Sequence, residues 1–226
     1  MTSSSSNLEY AVLFDLDGTL IDSSHQITQA VSVTRRIMGF PHISATELLP
    51  KIGLPAKELF FDLNLNDEET DDAVMRFREA LTNTPLAPED AYKSANELLK
   101  LLSSRGYFIG VATNKPSQLA RKALQETSLL EFCNVVVGAE SLPAKPSPAI
   151  LNECRRTTSF PEQNCLMIGD RVEDMLAAVS AGMRAIGLSQ GVHTEDMLVN
   201  SGANPVFATI NDLYSTIMNG HNIENL

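Results

Sequence analysis

A chain of 226 residues in which 43% of the side chains are hydrophobic can bury one full core, alone or with an insertion, and its formal net charge of −11 excludes the basic footprint of a nucleic-acid or anionic-membrane binder. No apolar run approaches the roughly 18 residues of a membrane span, and the start "MTSSSSNLEY" lacks the basic and apolar stretches of a signal peptide, so residues 1–8 read as a flexible tail. Cys133, Cys154 and Cys165 are odd in number and lack metal-ligand spacing, which points to a reducing, cytoplasmic compartment.

The first element in chain order is the run "AVLF", residues 11–14, with the unbroken apolar character of a strand buried in a parallel sheet. It runs straight into "DLDGT", which puts Asp15 and Asp17 where the strand ends. Residues two apart in extended backbone point the same way, so these carboxylates share one face about 6 to 7 Å apart. Like charges so close repel, and burial raises the cost. A bound cation, a shared proton or a nearby lysine must neutralise them.

Asp22 reads as a cap, and the next β-rich run does not begin until residue 108. A crossover between parallel strands needs roughly a dozen to thirty residues, far fewer than this gap. One helix over about 89–104, with Ala95, Leu98, Leu99 and Leu102 on its apolar face, suffices for the crossover. Residues 23–87 are therefore read as an inserted all-α domain, and 1–22 with 88–226 as the core around it. The insertion is expected to hold helices over 26–38 and 67–81, a loop "LPKIGLPAKEL" over 49–59, and hinges near 22–24 and 84–88. Its "ELFF" and "MRF" apolar residues are expected to form its own packing face.

Beyond the insertion, short runs alternate with helical patterns. Strands are expected over 108–113, 135–138, 165–169, 184–188 and 206–209. A helix over 149–156 is opened by Ser147 and Pro148, and one over 172–181 is stopped by Gly182. This is an α/β pattern, a doubly wound parallel sheet with helices on both faces. In such sheets ligands bind beyond the carboxyl ends of the strands. Asp15 and Asp17 follow the first strand, Thr113 and Asn114 end the second, Lys145 follows the third after a short loop, and Asp170 with Asp174 follows the fourth. Four strand ends thus converge on one pocket. The histidines, His25, His42, His193 and His221, are scattered without ligand spacing and receive no role.

Taken in order, "DLDGTL", "VATNKP", "AKPSPAIL" and "MIGDRVEDMLAA" resemble the four motifs of the haloacid dehalogenase-like phosphohydrolases. The chain is most similar to the phosphoglycolate phosphatase-like branch, whose helical cap is inserted after the first motif. The resemblance runs from Tyr10 to about Leu188. It implies a Rossmann-like core with the first strand beside the fourth. It also implies that Asp15 is a nucleophile forming an aspartyl-phosphate, and that Asp17 protonates the leaving alkoxide and then deprotonates the attacking water.

A carboxylate attacking a phosphate dianion needs cations beside it. The resemblance implies Mg²⁺ held by Asp15, the backbone carbonyl of Asp17 and Asp170, with Lys145 as the second cation. Asp174, one helical turn past Asp170, is expected to orient a metal-bound water or the lysine. Thr113 would offer its hydroxyl to the phosphoryl group, with the amides of Asn114 and Gly18 alongside and the dipole of the helix that Pro116 opens. Gly18 permits the tight turn and Thr19 anchors it. In relatives the cap loop faces the active site, which makes Lys51 and Lys57 candidate substrate contacts.

These residues suit a Mg²⁺-dependent phosphatase acting on a small phosphorylated metabolite. Three alternatives stay open: a phosphosugar mutase of the same fold, a pyrophosphatase, and a catalytically silent, receiver-like binding module. Thr19 favours hydrolysis over the mutase. Receivers lack a helical insertion and place their lysine last, whereas here Asp170 follows Lys145. The leaving group is left open between glycolate, a sugar, a nucleoside and phosphate itself.

Overall fold

The computed structural model describes residues 10–226, and the tail expected over residues 1–8 lies outside them. Six strands, β1 (Ala11–Phe14), β2 (Phe108–Ala112), β3 (Val135–Val137), β4 (Cys165–Gly169), β5 (Arg184–Leu188) and β6 (Val206–Phe207), form one sheet in the order β3-β2-β1-β4-β5-β6. Every pairing is parallel. β1 lies between β2 and β4, at the switch point of a Rossmann-like, doubly wound sheet. Phe14 sits opposite both Val111 and Ile168, so the residues after these three strands emerge together on one edge.

The helices are α1 (Ser24–Met38), α2 (Ala45–Leu48), α3 (Asp67–Thr82), α4 (Ala95–Ser104), α5 (Ser117–Glu126), α6 (Ala149–Arg156), α7 (Val172–Ser180), α8 (Glu195–Asn200) and α9 (Ile210–Met218). The two-residue period of β1 divides the core between them. Val12 and Phe14 pack with Leu98 and Leu102 of α4, Leu124 of α5 and Leu213 of α9. Ala11 and Leu13 pack on the other face with Ile150 and Leu151 of α6, Met175 of α7 and Leu198 of α8.

Between β1 and α4, helices α1 to α3 and two 3-10 turns (Leu49–Lys51, Ala56–Phe60) gather an apolar cluster of their own, including Ile27, Val31, Leu48, Leu59 and Phe77. Leu59, Phe60 and Phe77 are buried there, whereas Phe61 and Met75 stay exposed. Capping boxes at Ser44/Glu47 and Asn66/Glu69 satisfy the first amides of α2 and α3. Arg35 is fully buried in this unit. Its guanidinium donates to both carboxylate oxygens of Asp62 at 2.7 and 2.8 Å, and its Nε to the Pro41 carbonyl, so the buried charge is paired.

The helix expected over 89–104 begins only at Ala95. Pro88–Asp90 form a 3-10 turn, and Ala91 makes an antiparallel bridge to Ile21. The Asp22 amide donates to the Asp90 carbonyl at 2.8 Å and the Tyr92 amide to the Leu20 carbonyl at 3.0 Å. Those bonds occupy groups that a continuing helix needs, and Ser94, at a φ of 69°, starts α4 afresh. The outgoing and returning connections are thus stitched side by side. The last strand is also shorter than expected, because Thr209 leaves the ladder to cap α9. Before α6, Pro148 takes the cap position while the Ser147 hydroxyl accepts from the Ala149 amide at 3.3 Å.

Candidate active site

The edge where β1, β2 and β4 end carries a buried charge cluster. Lys145 Nζ donates to Asp15 Oδ1 at 2.7 Å, to Asp174 Oδ1 at 2.5 Å and to the Ala112 carbonyl at 2.8 Å, which uses all three of its protons. Asp174 also accepts from the Arg171 amide at 3.1 Å, so both its oxygens are held by the protein. Asp170 accepts from the Thr19 hydroxyl at 2.7 Å and from the Val192 amide at 3.3 Å. That is the anchoring expected of Thr19. Gly18 has a φ of +90°, and a Cβ there would stand 2.6 Å from an Asp170 oxygen, so this turn admits no side chain.

Carboxylate oxygens of Asp15, Asp170 and Asp174 lie within 4.8 Å of one another. Burial is the largest influence on Asp15 and pushes its pKa up to about 8, against the pull of Lys145 and with the charges of Asp174 and Asp170 adding to the rise. Asp170 is pushed up to about 7, by burial first and then by Asp174. Burial alone would lower Lys145, but Asp15 and Asp174 overcome it and the net shift is upward. Lys145 rises because its ammonium faces more negative charge than it neutralises, whereas the rise of Asp15 is chiefly the cost of burial. The excess of two charges, on hard oxygen donors, fits a divalent cation of the Mg²⁺ type. The Asp17 carbonyl accepts no hydrogen bond among the described residues and is free to join such a site.

The phosphoryl contacts differ in part from expectation. The Thr113 hydroxyl accepts from the Lys115 amide at 3.2 Å and keeps its own proton for another acceptor. The Asn114 amide has no partner among the described residues. The Gly18 amide is taken, however, donating to the Ile21 carbonyl at 2.9 Å. The first amide of α5 is likewise taken, because Ser117 donates to Glu140 at 2.9 Å. Ser117 holds that carboxyl below its usual range although burial pushes it the other way.

Above Asp17 a cavity of about 120 Å³ opens between α5, the 49–55 loop, α1 and α3. Lys51 lines it, whereas Lys57 is exposed and lies outside its lining.

The sequence from residue 12 to 188 matches the family model described as haloacid dehalogenase-like hydrolase. The chain belongs to the haloacid dehalogenase-like hydrolases. It is 31% identical over 190 residues to a phosphoglycolate phosphatase of Vibrio vulnificus, covering 80% of this chain and 83% of that protein. It is 31% identical over 189 residues to a 5'-nucleotidase of Pseudomonas aeruginosa, covering 83% and 86%. A crystal structure titled as a predicted phosphatase from Clostridium acetobutylicum superposes with a TM-score of 0.82 at 25% identity, covering 93% of this chain and 99% of that one. Family and relatives together make the chain a phosphatase.

Several site residues of this haloacid dehalogenase-like hydrolase escaped the motif reading. Lys115, inside "VATNKP", pairs its Nζ with Asp17 Oδ1 at 2.6 Å, and the Ser23 hydroxyl donates to the same oxygen. Arg171, beside Asp170, reaches across to the inserted unit and donates to the carbonyls of Pro50 at 3.3 Å and Ile52 at 2.7 Å. Asn114 donates to the Gly53 carbonyl at 2.9 Å while accepting from the Lys145 amide at 2.9 Å. Two core side chains therefore grip three carbonyls of one loop. A Cβ on Gly53, whose φ is +87°, would stand 2.8 Å from Arg171 Cδ. Gln190 pins the Asp-Gly-Thr turn by donating to the carbonyls of Gly18 and Thr19. The signal for Lys115 and Arg171 was present, since each adjoins a strand-end residue already singled out.

Proposed function

We propose that this phosphatase hydrolyses a small phosphomonoester through an aspartyl-phosphate on Asp15, with residues 23–87 acting as a cap over a core formed by 1–22 and 88–226. One observation carries the reading: three buried carboxylates gather at the carboxyl ends of β1 and β4, two of them on a single ammonium, below a cavity that reaches Asp17. Asp15, the Asp17 carbonyl and Asp170 would hold Mg²⁺, with Asp174 fixing Lys145 rather than the metal. When bound, the ion offsets the repulsion between Asp15 and the phosphate oxygens.

The chain's own groups perform the rest. Lys145 holds Asp15 Oδ1, which aligns the other oxygen for in-line attack on phosphorus. The bond from phosphorus to the ester oxygen breaks as the Asp15 oxygen bonds to phosphorus, and Asp17 gives the departing alkoxide its proton. Asp17 then takes a proton from the water that attacks the phosphoryl group, which releases inorganic phosphate and restores Asp15. The Thr113 hydroxyl and the Asn114 amide stabilise the phosphoryl oxygens. Lys115 and Ser23 position the Asp17 carboxylate, and Lys51 extends from the cap toward the leaving group. Three free cysteines suit a cytoplasmic setting, and no described helix is long and apolar enough to cross a membrane.

The test is phosphate release from a panel of monoesters and pyrophosphate. Turnover should vanish in EDTA and return with Mg²⁺, and turnover undiminished in chelator would overturn the metal role. With an aryl phosphate, Asp17→Asn should accumulate enzyme heavier by one phosphoryl group, labile to hydroxylamine. A variant that hydrolyses alkyl phosphates at the parent rate would remove Asp17 from its acid and base role.

A further inference from the structure

The cavity above Asp17 is built unlike the charge cluster below it. Its walls include Ile27, Leu54, Leu59, Phe77, Leu81 and Leu119. Its volume of about 120 Å³ is close to that of the roughly 150 Å³ apolar cavities that take up a benzene ring. Three of the polar side chains that reach it are already committed. Asp17 is held by Lys115 and Ser23, Lys115 by Asp17, and Asn114 by the Gly53 carbonyl and the Lys145 amide. Of the side-chain acceptors in the lining, Asn114 Oδ1 and Asp17 Oδ1 are taken, which leaves Asp17 Oδ2 as the one without a partner among the described residues.

The remaining polar lining is cationic. Lys51 Nζ lies 4.5 Å over the Phe61 ring, and Arg78 is exposed at the rim. Neither forms an ion pair among the described residues, although Glu140 lies near enough for Arg78 to help hold its carboxyl down.

We infer that the substrate's leaving alcohol has an apolar body, the size of one ring or a short chain, and ends in an anionic group such as a carboxylate that Lys51 and Arg78 receive. The inference rests on the phosphatase reading of the site. A polyhydroxylated sugar in this cavity sets most of its hydroxyls against carbon, and those lose their hydration without return. An alkyl or aryl body instead replaces water along walls of leucine, isoleucine and phenylalanine. A terminal carboxylate reaching two cations that form no ion pair among the described residues gains charge-assisted hydrogen bonds.

Three primary-alcohol phosphates of equal carbon count and similar leaving-group reactivity test this: those of hexanol, of the terminal hydroxy acid of hexanoate, and of glucose at its primary hydroxyl. With the full chain and Mg²⁺, kcat/KM should rank hydroxy acid, hexanol, glucose, with about tenfold between neighbours. In the double variant Lys51→Gln, Arg78→Gln the preference for the hydroxy acid over hexanol should fall toward one. Leu119→Asn should narrow the preference for hexanol over glucose. Melting temperatures establish that both variants fold.

Calorimetry with the uncleavable phosphonate analogues of the three esters reads the cavity apart from turnover and should give the same order. A glucose ester that matches or beats the others, or a carboxylate preference that survives the double variant, overturns the inference while leaving the phosphatase intact. The expected phosphonate order without hydrolysis of any ester, an activated aryl phosphate included, overturns the phosphatase reading and leaves the cavity assignment standing.

Discussion

At the carboxyl ends of β1 and β4, Asp170, Asp174 and Lys145 are buried with their polar atoms assigned to named partners, whereas the cavity directly above them is walled mostly with carbon and edged by two cations that form no ion pair among the described residues. Among the described residues the only buried side-chain nitrogen or oxygen without a partner is Arg155 Nε, on α6 and outside the site. The floor is preorganised. Its groups reach their positions through the sheet register and cannot move without unpairing a buried charge. The roof comes from a separate apolar cluster and meets the floor through a few polar bridges, chiefly from Arg171 and Asn114. One surface is suited to chemistry shared by many substrates and the other to telling them apart.

The largest break in this comparison is on the floor. Asp15→Asn should lower kcat by at least about 10⁴-fold and abolish covalent labelling, because an amide is a poor nucleophile toward phosphorus and carries no charge for a metal. Rapid-quench labelling with an aryl phosphate checks it. A labelled Asp15→Asn enzyme would assign the nucleophile elsewhere. The same substitution leaves the cavity walls untouched, so the phosphonate affinities should keep their order.

That contrast also explains what the sequence made legible. Asp15, Thr113 and Asp170 were readable because each sits at the end of a short apolar run and Lys145 because it follows one after a short loop, and a parallel sheet gathers such ends on one edge whatever the cap does. The roof was not. Asn114 meets Gly53 across 61 positions and Arg171 meets Pro50 across 121, and no local pattern reports how an inserted unit settles on its core. The occupied Gly18 amide was hidden for a similar reason. Its acceptor, Ile21, is placed by a bridge to Ala91 on the returning connection. The late start of α4 has the same origin, since apolar spacing alone extends that helix back to residue 89.

A break at the joint between floor and roof should rank second. Gly53→Ala forces a Cβ onto left-handed backbone and against Arg171 Cδ, which should detach the loop that Arg171 and Asn114 hold. A fall in kcat/KM of roughly ten- to a hundredfold is expected, read as faster amide exchange at Ile52 and Leu54 with the sheet amides unchanged. Full activity with unaltered exchange would show that the loop does not depend on this approach. Lys115→Met comes next. It leaves the Asp17 carboxylate held by Ser23 alone, and kcat for alkyl phosphates should drop about tenfold, with a smaller drop for aryl phosphates whose leaving group needs little protonation. Equal losses on both would make Lys115 a binding residue and not a positioning one.

The smallest effect separates the two cap lysines. From sequence they are near equivalents, both flanking Gly53 in one loop. In the structure Lys51 closes its 3-10 turn against the cavity with its ammonium over Phe61, while Lys57, on the next turn, is exposed and faces away from the lining. An isolated surface charge without a partner contributes within about 0.5 kcal/mol of nothing to stability, and its field on a ligand in the cavity is screened by water. Lys57→Ala should therefore change kcat/KM for the hydroxy acid ester by less than about twofold, which is under the roughly 0.5 kcal/mol expected of a neutral surface site. Lys51→Ala should cost several times more on that ester than on the hexanol ester. If Lys57→Ala gave the larger, carboxylate-specific loss, the anion would be received on the second turn of the loop, and the roof would have to close over the floor in a different orientation from the one described.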